Sequence, residues 1–174
     1  MSANFFDLQF WQQLMTTFLG IGAVFLIDRY IERKHTKNEC KQTLDALKTA
    51  LDKNLGLLDE VARQLVTGTP SFSMDLPMLN YAVQKLYNHS DVSDILPLAD
   101  HARYELTHFN EKLSMHKHVI TRNPDEARTI ILPTILAHIS PLKTDLNAAI
   151  NKIEIHIIKE KCICRKLIRI FTLQ

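Results

Sequence analysis

LQFWQQLMTTFLGIGAVFLI, from Leu8 to Ile27, runs for 20 positions without a charged side chain. At about 1.5 Å of rise per helical residue, that length covers the ~30 Å hydrocarbon core of a bilayer, so the stretch predicts a transmembrane helix. A secretory signal would begin with Lys or Arg and end in small residues at a cleavage site. Here Asp7 precedes the run and the first basic residue is Arg29, so the segment is expected to be retained. Arg29, Arg33, Lys34, Lys37 and Lys41 follow directly. The positive-inside bias then makes residues 1–28 a single span of the inner membrane with a short outer N-terminus, and residues 29–174 a cytoplasmic domain.

Around a 3.6-residue wheel the span has two unlike sides. Gln9, Gln12, Gln13, Thr16, Thr17, Gly20, Ala23 and Val24 share one side; Trp11, Leu14, Phe18, Ile21 and Phe25 share the other. Trp11, Phe18 and Phe25 recur every seven residues, a bulky ridge suited to lipid. Small residues let helix backbones approach closely and glutamine amides bond to a neighbour, so the polar side predicts contact with a span of another copy or another protein; the sharper reading is an oligomer whose polar sides meet around a water-filled path, and a plain anchor is the alternative.

Beyond the basic collar no Gly or Pro occurs until Gly56, and the helix is expected to continue. Leu44, Leu47, Leu51, Asn54, Leu58, Val61 and Leu65 recur at alternating spacings of three and four, the seam of a coiled coil or bundle helix. Asn54, its one polar member, either fixes register from a buried position or faces water at a bundle edge. Gly68-Thr69-Pro70 predicts the helix end. A short helix is expected over Leu76 to Asn88, a turn over Asn88–Asp91, and a third helix from about Asp94, its cap, to Ile120. Asn123-Pro124-Asp125-Glu126 marks a fourth start, with a capping Asn, Pro in the first turn and two acids at the positive dipole end. Pro133 and Pro141 predict a kink or break before a last helix from about Pro141 to Phe171.

Composition agrees with an all-α, up-and-down bundle. Gly and Pro number 4 and 6, and no stretch alternates with the period of a strand. Lys and Arg total 21 against 19 Asp and Glu, so no bulk basic field points to nucleic acid. The three cysteines, Cys40, Cys162 and Cys164, form no CxxC pair, and neither metal nor cofactor is expected. Lys159, Lys161, Arg165, Lys166 and Arg169, interleaved with Ile and Leu, suit an anionic lipid surface; the alternative is a packed helix with solvated lysines.

Gly-rich phosphate loops, HExxH and GxSxG are all absent from the sequence. His101, His116, His118 and His138 with Arg103, Lys112, Lys117 and Arg122 make a loose basic patch for a phosphate-bearing ligand or a solvated face. Arg103-Tyr104-Glu105-Leu106-Thr107-His108 resembles the R-x4-6-H pattern of the HEPN helical ribonuclease superfamily. That resemblance implies an interfacial Arg/His pair, the arginine on phosphate and the histidine moving a proton. Tyr104 departs from the polar residue usual after the arginine, and the motif lies within a third helix instead of near a last one. One span leading into a helical domain also resembles small bacterial antiviral-defence membrane effectors, in particular the HEPN-like membrane accessory protein of type VI CRISPR systems and the effectors of type III systems gated by cyclic oligoadenylate.

The expected function is therefore a membrane-anchored homo-oligomeric effector, pore-forming or membrane-perturbing, with a nucleotide second messenger or a defence complex as partner. The alternatives are a membrane-tethered HEPN-type ribonuclease using Arg103 and His108, and a non-catalytic receptor or adaptor gated by a small phosphate-bearing ligand.

Overall fold

The computed structural model describes residues 8–68, 70–71 and 73–172, with side chains throughout except at 8–10, 67 and 160–172. In chain order come α1 (Leu8–Thr67), α2 (Leu76–Leu86), a 3-10 turn (Ser90–Val92), α3 (Leu96–Arg122), the short α4 (Pro124–Glu126), a π turn (Ala127–Ile131) and α5 (Leu132–Thr172). The described residues are all-helical and contain no strand. The chain divides into two units, Met1–Cys40 and Lys41–Gln174.

In the first unit, among the described residues, no second helix packs on α1 to supply its stability. Across its most apolar 18 residues none is buried, and α1 is long and apolar enough to cross a membrane. Trp11, Phe18 and Phe25 are 51%, 65% and 58% exposed, which water alone would not favour for a ridge of aromatics.

The second unit is a bundle. Leu44, Leu47, Leu51, Leu58, Val61 and Leu65 of α1 are all buried, so the three-four spacing becomes an intrachain core face, each leucine contributing about 1.5–3 kcal/mol by leaving water. Ion pairs set the helix directions. Lys48 meets Glu154 at 2.9 Å and Asp59 meets Lys143, so α5 runs antiparallel to this part of α1. Asp94 with Lys152 at 3.1 Å and His101 with Asp145 at 3.5 Å make α3 antiparallel to α5 as well. Tyr87 donates to Asp100 across α2 and α3, and the order is up-and-down.

Helix boundaries follow local chemistry, with three departures from expectation. Gly68 does follow the last residue of α1, its N–H donating to Gln64 O at 2.8 Å, and Asn123 caps α4 by accepting from Glu126 N at 3.4 Å. Asp94, however, is not the cap of α3: the helix starts at Leu96 after Ile95, and the Asp94 carboxylate is spent on Lys152. The short helix stops at Leu86, two residues early, because Asn88 N and His89 N turn back to Lys85 O and Leu86 O. Nor does a helix begin at Pro141. The widened π turn over Ala127–Ile131 comes just before Pro133, where an α turn would lack its donor, and α5 then runs through Pro141. Pro141 and Ala137 lie on the solvent side, so water can serve the freed carbonyl, while buried Ile139, Leu142 and Leu146 hold the helix to the core.

Candidate functional site

The polar side of the apolar N-terminal part of α1 is the first candidate site. Gln12, Gln13, Thr16 and Thr17 line one shallow groove. Each threonine hydroxyl donates to the carbonyl one turn back, Thr16 to Gln12 O at 2.7 Å and Thr17 to Gln13 O at 2.8 Å. Their hydroxyl protons are thereby used within the helix, so the donors left to offer a neighbour are the two glutamine amides, while the threonine oxygens can still accept. Gly20 needs no close approach from its own chain: a methyl added there meets nothing within 4 Å. Ala23 is exposed, and the Gln9 side chain lies outside the described residues.

At the C-terminal end of the ridge the Arg29 guanidinium sits 5.4 Å from the Phe25 ring centroid, reaching back along the helix. Arg33 and Lys34 are exposed, as is Lys159; the side chains of Lys161, Arg165, Lys166 and Arg169 lie outside the described residues.

Arg103 and His108 are not brought together. Five residues of helix separate their directions by about 140°. Arg103 pairs with Asp100 at 2.8 Å, whereas His108 Nδ1 lies 3.2 Å from Glu111 and its ring stacks on Tyr104 at 6.3 Å. Both side chains are close to half exposed, at 41% and 47%.

Beside them α3 and α5 build a cluster that the sequence motif does not contain. His138 Nε2 lies 2.8 Å from Glu105 Oε2, and His138 Nδ1 lies 3.2 Å from Lys112 Nζ. An ammonium has only donors, so Nδ1 accepts and Nε2 carries the proton given to Glu105; the two partners fix the tautomer. Phe109 packs at 5.9 Å from the same imidazole. With both ring nitrogens occupied, the histidine holds α3 to α5 and has no free nitrogen for a ligand. Glu105 and Lys112, seven apart, share a helix face in the sequence; their partner 33 residues beyond Glu105 gives no local signal.

Asn54 is buried, which resolves the two readings of the seam. Its amide grips the backbone ahead of α2: Oδ1 accepts from Asp75 N at 2.7 Å, and Nδ2 donates to Asp75 O at 3.1 Å and to Ala50 O at 2.8 Å. Asn110 of α3 grips the preceding residue, accepting from Met74 N at 2.8 Å. Lys53 Nζ donates to Asp75 at 2.6 Å, and that bond holds the carboxyl below the usual carboxylate range. Two side-chain amides thus close on successive peptides, tying α1 and α3 to the loop between α1 and α2.

The scattered histidines do not form one patch. His116 is buried with no partner for Nδ1, and burial pushes its imidazole below the ordinary value. His118 is exposed. Among the described residues no three His, Cys, Asp or Glu stand close enough to hold a metal ion. No family model, curated protein or solved structure matches the chain.

Proposed function

We propose that the chain is a membrane-anchored, homo-oligomeric effector whose spans associate through their polar side and perturb the membrane, in the manner of the antiviral-defence effectors its layout resembles. One observation carries the reading: the charge-free stretch of α1 exposes an aromatic ridge on one side and, on the other, glutamine amides beside glycine and threonine that no other described residue covers. In hydrocarbon the ridge finds its solvent. The amides of Gln12 and Gln13 do not, and each unmet polar group there costs several kcal/mol, about 4–8 against an alkane, so a second span offering the same groups is the natural partner. Gly20 and Ala23 let that partner come close. Arg29, Arg33 and Lys34 hold the inner end at the cytoplasmic headgroups, a single pass with the bundle inside.

The test replaces Thr16, Gly20 and Ala23 together by leucine and measures dye uptake across the membrane of cells expressing the full chain. The variant keeps the span apolar and helical while blocking close approach, and it should lose the leak seen with the native chain. Undiminished leak at equal membrane content refutes association through this side.

A further inference from the structure

Every residue from Asp28 to Glu39, about 18 Å of α1 within the first unit, is exposed. A helix solvated all round is best supported by opposite charges three or four positions apart. This segment does the reverse. Asp28 with Glu32, Arg29 with Arg33, and Arg33 with Lys37 are like charges four positions apart, and each such pair weakens a helix that stands alone. The favourable spacing of four, His35 with Glu39 at 3.5 Å, becomes an ion pair only when the imidazole is protonated. Arg29 stands three positions before Glu32, but its guanidinium reaches back to the Phe25 ring at 5.4 Å instead.

The two signs separate into stripes. At about 100° per residue, Asp28, Glu32 and Glu39 fall within about 40° of one another and Arg29, Arg33 and Lys37 within about 80°, with the two centres about 120° apart. The stripes also match in height. Asp28 is one residue, about 1.5 Å of rise, from Arg29; Glu32 is one from Arg33; Glu39 is two from Lys37. A second helix laid parallel at the same level therefore sets each acid of one beside a base of the other. At the usual spacing of about 8–10 Å between packed helices, these long side chains meet across the gap, as flanking charges do in coiled coils.

We infer that copies of this chain stand side by side along Asp28–Glu39, the acidic stripe of one against the basic stripe of the next. The parallel, level arrangement rests on the proposed function: copies anchored in one bilayer by the preceding residues begin this segment at the same height. Anionic lipid would meet the basic stripe alone and repel the acids. A second copy relieves both stripes at once, because one sequence supplies both signs at matching levels. Exposed ion pairs are individually weak and screened by salt, so they decide which sides meet, and the span contributes the rest of the association.

The experiment uses the full chain in native membranes with Cys40, Cys162 and Cys164 replaced by alanine. Copies carrying Asp28→Cys are co-expressed with differently tagged copies carrying Arg29→Cys, which leaves the Glu32 and Arg33 charges in place. Held neighbours give millimolar effective concentrations, so under mild oxidation the mixed disulfide should exceed either self-disulfide by about tenfold. Circular dichroism checks that each variant folds. Self-disulfides as abundant as the mixed one, or no disulfide of any kind, overturn the inference. Arg33→Glu in both copies should lower the mixed yield about fivefold, and Glu32→Lys added to it should restore the yield, since the exchanged charges again face each other. A yield indifferent to Arg33→Glu overturns the inference. A loss that persists in the doubly exchanged chain overturns it as well and assigns Arg33 to anionic lipid. A Gly20→Cys probe separates this from the span reading. Disulfides at Gly20→Cys without the mixed one leave the effector proposal standing and sink the charged contact; the mixed disulfide without any at Gly20→Cys keeps the contact and sinks association through the polar side.

Discussion

Replacing Asn54 by alanine removes an amide that is fully buried and makes three bonds: 2.7 Å and 3.1 Å to the backbone of Asp75 and 2.8 Å to Ala50 O. The Ala50 carbonyl keeps its helical partner, so the loss falls on Asp75, whose N–H and C=O are left without a bonding side chain in a partly buried loop. Two net hydrogen bonds at about 1 kcal/mol each, plus incomplete rehydration and a small cavity, give an expected loss of about 2–4 kcal/mol. For a chain of this size that is a fall in Tm of roughly 6–12 °C. The assay is a helical circular-dichroism melt of the full chain in mild detergent, with a urea midpoint at unchanged slope to show that only stability moved. Asn54→Leu keeps the volume without the bonds and should fall nearly as far. The reasoning is refuted if Asn54→Ala lies within about 0.5 kcal/mol of the native chain. It is also refuted if Asn54→Leu is more stable and changes subunit number, since that is how a buried Asn behaves when it sets register between chains. A double variant with Asn110→Ala should lose less than the sum, because both amides hold the same two-residue segment.

Stability should depend on pH through His116. Its folded value is pushed down by burial, so below the unfolded value of about 6.5 the unfolded chain takes a proton that the folded chain refuses; stability is full above that pH and declines beneath it, by at most about 1.4 kcal/mol per unit. His116→Leu should flatten the difference between melts at neutral and mildly acidic pH, and an unaltered slope would count against the assignment. At the α3–α5 cluster, Glu105→Ala should cost about 1–3 kcal/mol and Glu105→Gln, which still accepts from His138 Nε2, clearly less. Equal losses would mean that the charge, and not the hydrogen bond, holds the two helices.

What could be read from sequence was local or periodic. The helix of α1, its stop at Gly68, and the Asn123 cap rest on chemistry within four residues, and the core face of α1 on a repeat that any helix must obey. Pairings between distant elements had no such trace. Asn54 at a seam position looked equally suited to a bundle edge, because its partner is the backbone of Asp75, which no pattern announces. Asp94 looked like a cap because acids favour that place, yet Lys152, in another helix, claims its carboxylate. Pro141 looked like a break because intrinsic preference says so; packing by Leu142 and Leu146 overrides it while the proline stays on the solvent side. The Arg103/His108 spacing, legible as a motif, corresponds to two directions on α3, whereas Glu105 and His138, which do meet, lie far apart in the chain.

Whether Leu8–Ile27 crosses a bilayer decides most of the rest, and extraction of membranes from cells expressing the full chain tests it directly. A transmembrane segment keeps the protein in the pellet after alkaline carbonate and releases it only to detergent. Recovery in the carbonate supernatant, or in the soluble fraction before any extraction, contradicts the account.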